Sequence, residues 1–203
     1  MPHTTTALTA DAALARLKGG NQRFLNGQAK FPTVQKEVLA ALARGQSPYA
    51  TILGCSDSRV PPELIFDAGF GELFIVRVAG NVVSPTVMGT LQYAALHLCT
   101  PLFVVLGHEG CGAVDAALHV QLHDAEVPER IGVLLDNIHP GLEALPGGLP
   151  YDRLLNAAVE ANVRWSMRQL LETPEAQARA AEGVMKLVGA VFEFETGRVR
   201  FLD

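Results

Sequence analysis

The chain has 203 residues, is 49% hydrophobic and 18% charged, and has a mildly positive mean hydropathy, which fits one well-filled domain and excludes a disordered chain. The net charge of −5 comes without any basic run, so nucleic acid is not an expected partner. Three cysteines, at positions 55, 99 and 111, exclude a disulfide scaffold and fit a reducing compartment in which thiolates are free to bind metal.

The opening Met1-Pro2-His3-Thr4-Thr5 has neither a charged start nor a long apolar stretch, so no signal peptide is expected. The longest apolar runs reach about half the roughly 20 residues of a membrane span or less, and a soluble, cytoplasmic protein is expected. Residues 9–26 read as an amphipathic helix capped by Thr9, with Leu14, Leu17, Phe24 and Leu25 on one side. Residues 34–44 read the same way through Val34, Val38 and Leu42. Two helices ahead of the first strong strand form an N-terminal helical arm (1–45) that needs something to pack against, before a core over 46–203. No linker or repeat divides the rest, so a single domain is expected.

The core starts at the apolar run Ala50 to Gly54. A second run, Leu73 to Val78, follows Gly69-Phe70-Gly71, and a third, Leu102 to Leu106, precedes Gly107-His108. Ser84-Pro85 caps and opens a helix through about Leu98. The three runs are continuously apolar, as in strands buried on both faces of a parallel sheet. The Pro- and Gly-rich region 124–150 reads as a loop around a short helix near 130–137. A long helix follows over 151–171, and Thr173-Pro174 caps another that ends at Gly183. Lys186 to Phe194, Thr196-Gly197 and Val199 to Leu202 read as strand, turn and strand, a hairpin for a sheet edge. The fold class is α/β: a mostly parallel central sheet with flanking helices, the C-terminal edge hairpin and the N-terminal arm.

Cys55 stands directly after one buried strand and His108 directly after another, where sites gather in open α/β sheets. Cys111 lies three residues beyond His108, between Gly110 and Gly112, so both side chains can turn toward one point. Two thiolates and an imidazole suit zinc, and three protein ligands with a fourth position free is the catalytic pattern. Cys99, at a helix end, reads as core filler. His3, His97, His119, His123 and His139 read as structural or merely exposed. Asp57 and Arg59 flank the first ligand, and two residues apart on a loop they can form a charge-assisted pair. As a surface ion pair it would contribute little. As a functional pair, Arg59 holds Asp57 beside the metal as an acceptor-only carboxylate.

Cys55-Ser-Asp-Ser-Arg59, followed 53 residues after Cys55 by His108-Glu-Gly-Cys111-Gly112, resembles the β-class carbonic anhydrases of the bacterial type. The likeness runs over roughly residues 10–203, and Val188 to Gly197 is similar to the family's last hairpin. The resemblance implies one Zn(2+) per chain held by Cys55, His108 and Cys111, an Asp57–Arg59 dyad, and pocket positions at Gln46, Phe74, Ala79, Tyr93 and Gly112. Position 79 is alanine where some relatives carry a larger apolar residue, which bears on the pocket's width. It also implies a homodimer with active sites at the interface, Gln46 and Tyr93 coming from the partner's side, and possible pairing of dimers into a tetramer. The implied reaction is reversible hydration of carbon dioxide to bicarbonate and a proton, by hydroxide generated at zinc and oriented by Asp57.

Zinc lowers the pKa of its water from ~15.7 toward ~7 in a three-histidine site, and two thiolates weaken that acidification. Some relatives have a closed form in which the aspartate becomes a fourth zinc ligand and bicarbonate binds a second site built with a tryptophan, an arginine and a tyrosine. Here Ile52 stands at the tryptophan position, although Arg77 matches the arginine, and the open arrangement with Asp57 on Arg59 is expected. Rival readings are hydrolysis of carbon disulfide or carbonyl sulfide on the same scaffold, and a non-catalytic zinc- or bicarbonate-binding domain, against which the intact dyad speaks. A cysteine phosphatase needs arginine six residues after its cysteine, where this chain has Pro61.

Overall fold

The computed structural model describes residues 8–30 and 36–202. Helices α1 (Ala10–Leu25) and α2 (Lys36–Leu42) precede strand β1 (Ala50–Gly54), helix α3 (Pro62–Ile65) and strand β2 (Leu73–Arg77). A 3-10 turn over Ala79–Asn81 leads to α4 (Pro85–Leu96), then β3 (Leu102–His108) and α5 (Gly112–His123). Helices α6 (Glu129–Leu135), α7 (His139–Leu142), α8 (Tyr151–Leu171) and α9 (Pro174–Ala181) lead to the hairpin of β4 (Lys186–Phe192) and β5 (Val199–Leu202). The expected α/β fold is present: β1 to β4 run parallel, β5 is antiparallel, and the order is β2-β1-β3-β4-β5.

The start signals act as read. Thr9 accepts from the Ala12 N–H, Ser84 from Val87 and Thr173 from Ala176, each satisfying one orphan amide of the helix it opens. The helix from Pro85 ends at Leu96, short of Leu98. Of the second arm helix, residues 34 and 35 lie outside the described residues, as do His3 and the chain start. The 124–150 region holds two short helices where one was expected. Helix α5 was not expected at all: it opens on Gly112, and its N-cap Cys111 makes no side-chain capping bond.

Strands β1 and β3 are buried along their full length, as continuous apolar runs require. Strand β2 is only half-buried, because it pairs with β1 alone and forms the sheet's edge. Helix α8 lies across β3 and β4 and buries Val159, Val163 and Leu170. Its close approach needs bare backbone below: a Cβ on Gly107 would sit 2.6 Å from Val163, and one on Gly189 2.6 Å from the Met167 sulfur.

Helix α1 docks on its own chain. Buried Asn21 donates to the Ile65 and Gly197 carbonyls at 3.3 and 3.1 Å and accepts from the Val199 N–H at 3.0 Å. Arg23 pairs at 2.5 Å with Asp67, whose carboxylate also accepts from the Lys30 N–H. The helix comes so near that a Cβ on Gly20 would lie 1.9 Å from the Phe66 carbonyl oxygen. Gly20→Ala should therefore destabilise the fold by about 1–3 kcal/mol despite better helix propensity, lowering the thermal midpoint by roughly 2–10 °C. Gly19→Ala, whose added carbon would meet only the Arg23 guanidinium at 3.8 Å, should leave the midpoint level or raise it, and circular-dichroism melts of the two variants check the pair.

Candidate metal centre

The chain leaves β1 toward one side, to β2, and then crosses back to β3 on the other side of β1. The carboxyl ends of β1 and β3 therefore flank the point where strand order reverses, the place where open α/β sheets bind ligands. Register completes the placement: Gly54 pairs with Leu106 and with Arg77, so Cys55 emerges beside the end of β3, where His108 lies. Gly110 takes φ +55°, a left-handed turn that brings Cys111 back beneath the strand tips.

Cys55, His108 and Cys111 are buried, and their ligand atoms all lie within 4.8 Å of one another. The two sulfurs are 3.9 Å apart. Among the described residues no other group of three metal-ligating side chains gathers in this way. His108 Nδ1 is 2.9 Å from the Glu109 carbonyl oxygen. A carbonyl only accepts, so Nδ1 carries the hydrogen and Nε2 presents a lone pair toward the sulfurs. Nε2 is buried without a hydrogen-bond partner, an orphan that a cation would satisfy. Two sulfurs and one imidazole nitrogen form a donor set suited to zinc.

Backbone amides face both sulfurs. Asp57 N–H reaches Cys55 Sγ at 3.4 Å, with Gly80 contributing a second contact, and the Ala113 and Val114 amides at the start of α5 face Cys111. The neighbouring Cys111 thiol stabilises the Cys55 thiolate and pulls its pKa down to about 4, while that thiolate, together with burial, pushes Cys111 well above the usual thiol range. Ionisation of one sulfur thus opposes ionisation of the other.

Asp57 and Arg59 form the expected pair. Arg59 Nε and Nη2 donate to the two carboxylate oxygens at 2.9 and 2.7 Å, and the Arg59 amide adds a third bond at 2.9 Å. These bonds hold the Asp57 carboxyl well below the usual carboxylate range. Asp57 Oδ2 also lies 3.9 Å from His108 Nε2, so the acceptor sits beside the ligand cluster. Arg77, at the end of β2, donates through Nε to the Cys55 carbonyl at 2.9 Å and through Nη2 to the Asp57 carbonyl, clamping the loop between them.

The pocket positions are more dispersed. Ala79 lies in the 3-10 turn beside Cys55's strand, and Gly112 opens α5 next to Cys111, where an added Cβ would meet nothing within 4 Å. Half-buried Phe74 on β2 faces Tyr93 on α4 with ring centroids 6.3 Å apart. Gln46 and Tyr93 are exposed on the single chain. Cys99 is exposed too, at φ +54° in the turn after α4, so the core-filler reading fails. Sequence reasoning also missed Glu109 and Phe194. The Glu109 carboxylate accepts from the Phe194 N–H at 3.0 Å, and the Phe194 ring touches His108 and Arg59. Only the acidic residue between two glycine-flanked ligands could have signalled this.

The carbonic anhydrase family model matches residues 50–199, which span Cys55, Asp57, Arg59, His108 and Cys111. Carbonic anhydrase 2 of Mycobacterium tuberculosis is 37% identical over 206 residues, covering 100% of this chain and 96% of the relative. Among solved structures, the β-carbonic anhydrase CcaA superposes with a TM-score of 0.76 at 27% identity, over 94% of this chain and 87% of its own. One of two tetrameric β-carbonic anhydrases from Sordaria macrospora does so with a TM-score of 0.75 at 25% identity, over 91% and 93%. With a family match over most of the chain, a full-length relative and shared architecture, the chain belongs to the β-carbonic anhydrase family and is an enzyme of that class.

Proposed function

We propose that Cys55, His108 and Cys111 hold one zinc ion and that the chain catalyses reversible hydration of carbon dioxide to bicarbonate and a proton. The observation that carries this reading is the buried, unpartnered His108 Nε2 facing two buried sulfurs 3.9 Å apart. Zinc bound by such ligands would supply a hydroxide nucleophile, at a higher pH than in a three-histidine site because two thiolates weaken its acidification of water. The protein's own residues do the rest. Asp57, kept ionised by Arg59, offers only acceptors, so it takes a hydrogen bond from the nucleophile and fixes the direction of its remaining lone pairs. Gly112 leaves open space beside Cys111, and Phe74, Ala79 and Tyr93 give the apolar surface that carbon dioxide needs. The bidentate Asp57–Arg59 pair supports the open arrangement, with Asp57 as an acceptor and not a ligand. The Arg77 guanidinium is engaged by two loop carbonyls, which leaves it less suited to hold an anion. Zinc-ligating thiols left free of disulfides, and the lack among described residues of a helix long and apolar enough to cross a membrane, support a cytoplasmic setting.

Two of the pocket residues support assembly. Gln46 and Tyr93 are exposed on one chain, as are the apolar Val38, Leu39, Phe70 and Leu96, and β2 leaves a half-buried sheet edge. A two-fold pairing of two copies would cover these surfaces and bring Gln46 and Tyr93 to the partner's site, since an isologous interface builds two identical sites. Two such pairs would form a tetramer, the state named for the similar Sordaria macrospora structures.

Asp57→Asn tests the chemistry. The amide removes an acceptor and introduces a donor, so the variant should keep its zinc by elemental analysis yet lose about 10²–10³-fold in hydration rate by stopped flow. Equal rates for variant and parent would remove Asp57 from the reaction. Assembly has its own check: sedimentation velocity should find a dimer or larger at working concentration, and a fully active monomer would contradict sites shared between copies.

A further inference from the structure

The dyad's arginine is an exposed side chain doing an oriented task. Its side chain is 58% accessible, and among the described residues its side-chain partners are Asp57 and one ring, Phe194. A long side chain with that freedom samples many rotamers, and a bidentate fork works only while the guanidinium plane stays aligned with the carboxylate. Something must hold the plane from the other side. The Arg59 guanidinium carbon sits 4.3 Å from the Phe194 ring centroid, well inside the range of cation–π attraction. The weakly hydrated, planar guanidinium suits such a face.

Phe194 itself is fixed. Its N–H is donated to the Glu109 carboxylate at 3.0 Å, and its ring meets Phe192 edge-on at 5.4 Å and His108 edge-on at 5.7 Å. The Glu109 N–H is donated in turn to the Phe192 carbonyl. The ring is therefore anchored to the segment that carries His108, while its face carries Arg59. We propose that Phe194 is a positioning residue for the reaction, holding Arg59 in the plane that pairs with Asp57 and so tying the dyad's orientation to the imidazole. This rests on the reading of Asp57–Arg59 as the group that orients the nucleophile.

The test uses zinc-loaded protein with Phe194→Leu, Phe194→Met and Phe194→Trp, alone and combined with Arg59→Lys. Leucine and methionine keep apolar bulk without a π face, and tryptophan keeps the face. Phe194→Leu and Phe194→Met should retain zinc and unchanged KM, lose roughly two- to fivefold in kcat, and speed exchange of the Arg59 Nε–H with water by NMR to a similar degree. Phe194→Trp should match the parent in both. In the Arg59→Lys background, replacing Phe194 should cost nothing further, because the residue acts through the arginine.

Parent-like exchange in both the leucine and methionine variants would overturn the proposal. So would losses that multiply in the double variants, or zinc loss in step with activity, since the ring would then be serving His108. If Arg59→Lys alone keeps the parent rate, the dyad reading fails, and the exchange measurement still decides whether Phe194 holds Arg59.

Discussion

Two sulfurs placed 3.9 Å apart in a buried site repel each other as thiolates unless positive charge lies between them. Most of the local structure follows from that constraint. With a proton on one sulfur the pair is tolerable, and the Asp57 and Gly80 amides that face Cys55 take up the charge of the ionised one. With a divalent cation the proton becomes unnecessary, and the orphaned His108 nitrogen gains the partner that its buried position demands. The fold's part is to bring β1 and β3 side by side at the switch point, so that residues 55 and 108 meet without any long loop.

Around this centre the supporting contacts come from every part of the chain. Arg77 from the edge strand ties the Cys55–Asp57 loop to β2, and Glu109 ties the His108 loop to the C-terminal hairpin. Asn162 on α8 donates to the Gly80 carbonyl at 2.8 Å, whose own amide faces Cys55. Asn21 on α1 holds both sides of the Gly197 turn. Such outer contacts set the orientation of the inner side chains, and they explain why a site made of three loops needs a whole domain.

Legibility in the sequence divides along physical lines. Strand runs, proline-marked helix starts and the two short ligand-bearing motifs, 55–59 and 108–112, are local signals, each written in consecutive or nearly consecutive residues. They predicted the sheet, the hairpin and the meeting of Cys55, His108 and Cys111. Edge status is not local: Leu73 to Val76 look as apolar as β1, and only their place at the sheet's end leaves them half-exposed. Helix α5 lacked a capping signal because Cys111, turned toward the other sulfur, stands where a serine or aspartate would cap. Cys99 is apolar enough for a core, but its left-handed turn points it outward. The contact of Phe194 with Arg59 joins segments far apart in the sequence and left no trace in either.

The metal claim is met most directly by titrating metal-free protein with zinc in a calorimeter at about pH 8, in two buffers of different ionisation enthalpy. Ligands must be deprotonated to bind, so the proton that Cys111 resists losing has to leave, and affinity rises as pH rises. The expected result is one zinc per chain with about one proton released, and apparent affinity increasing about tenfold per pH unit while Cys111 is still protonated in the metal-free state. His108→Ala should lose most of that binding. Zinc uptake that releases no proton and survives His108→Ala unchanged would show that the ion binds elsewhere and that Cys55, His108 and Cys111 are not its site.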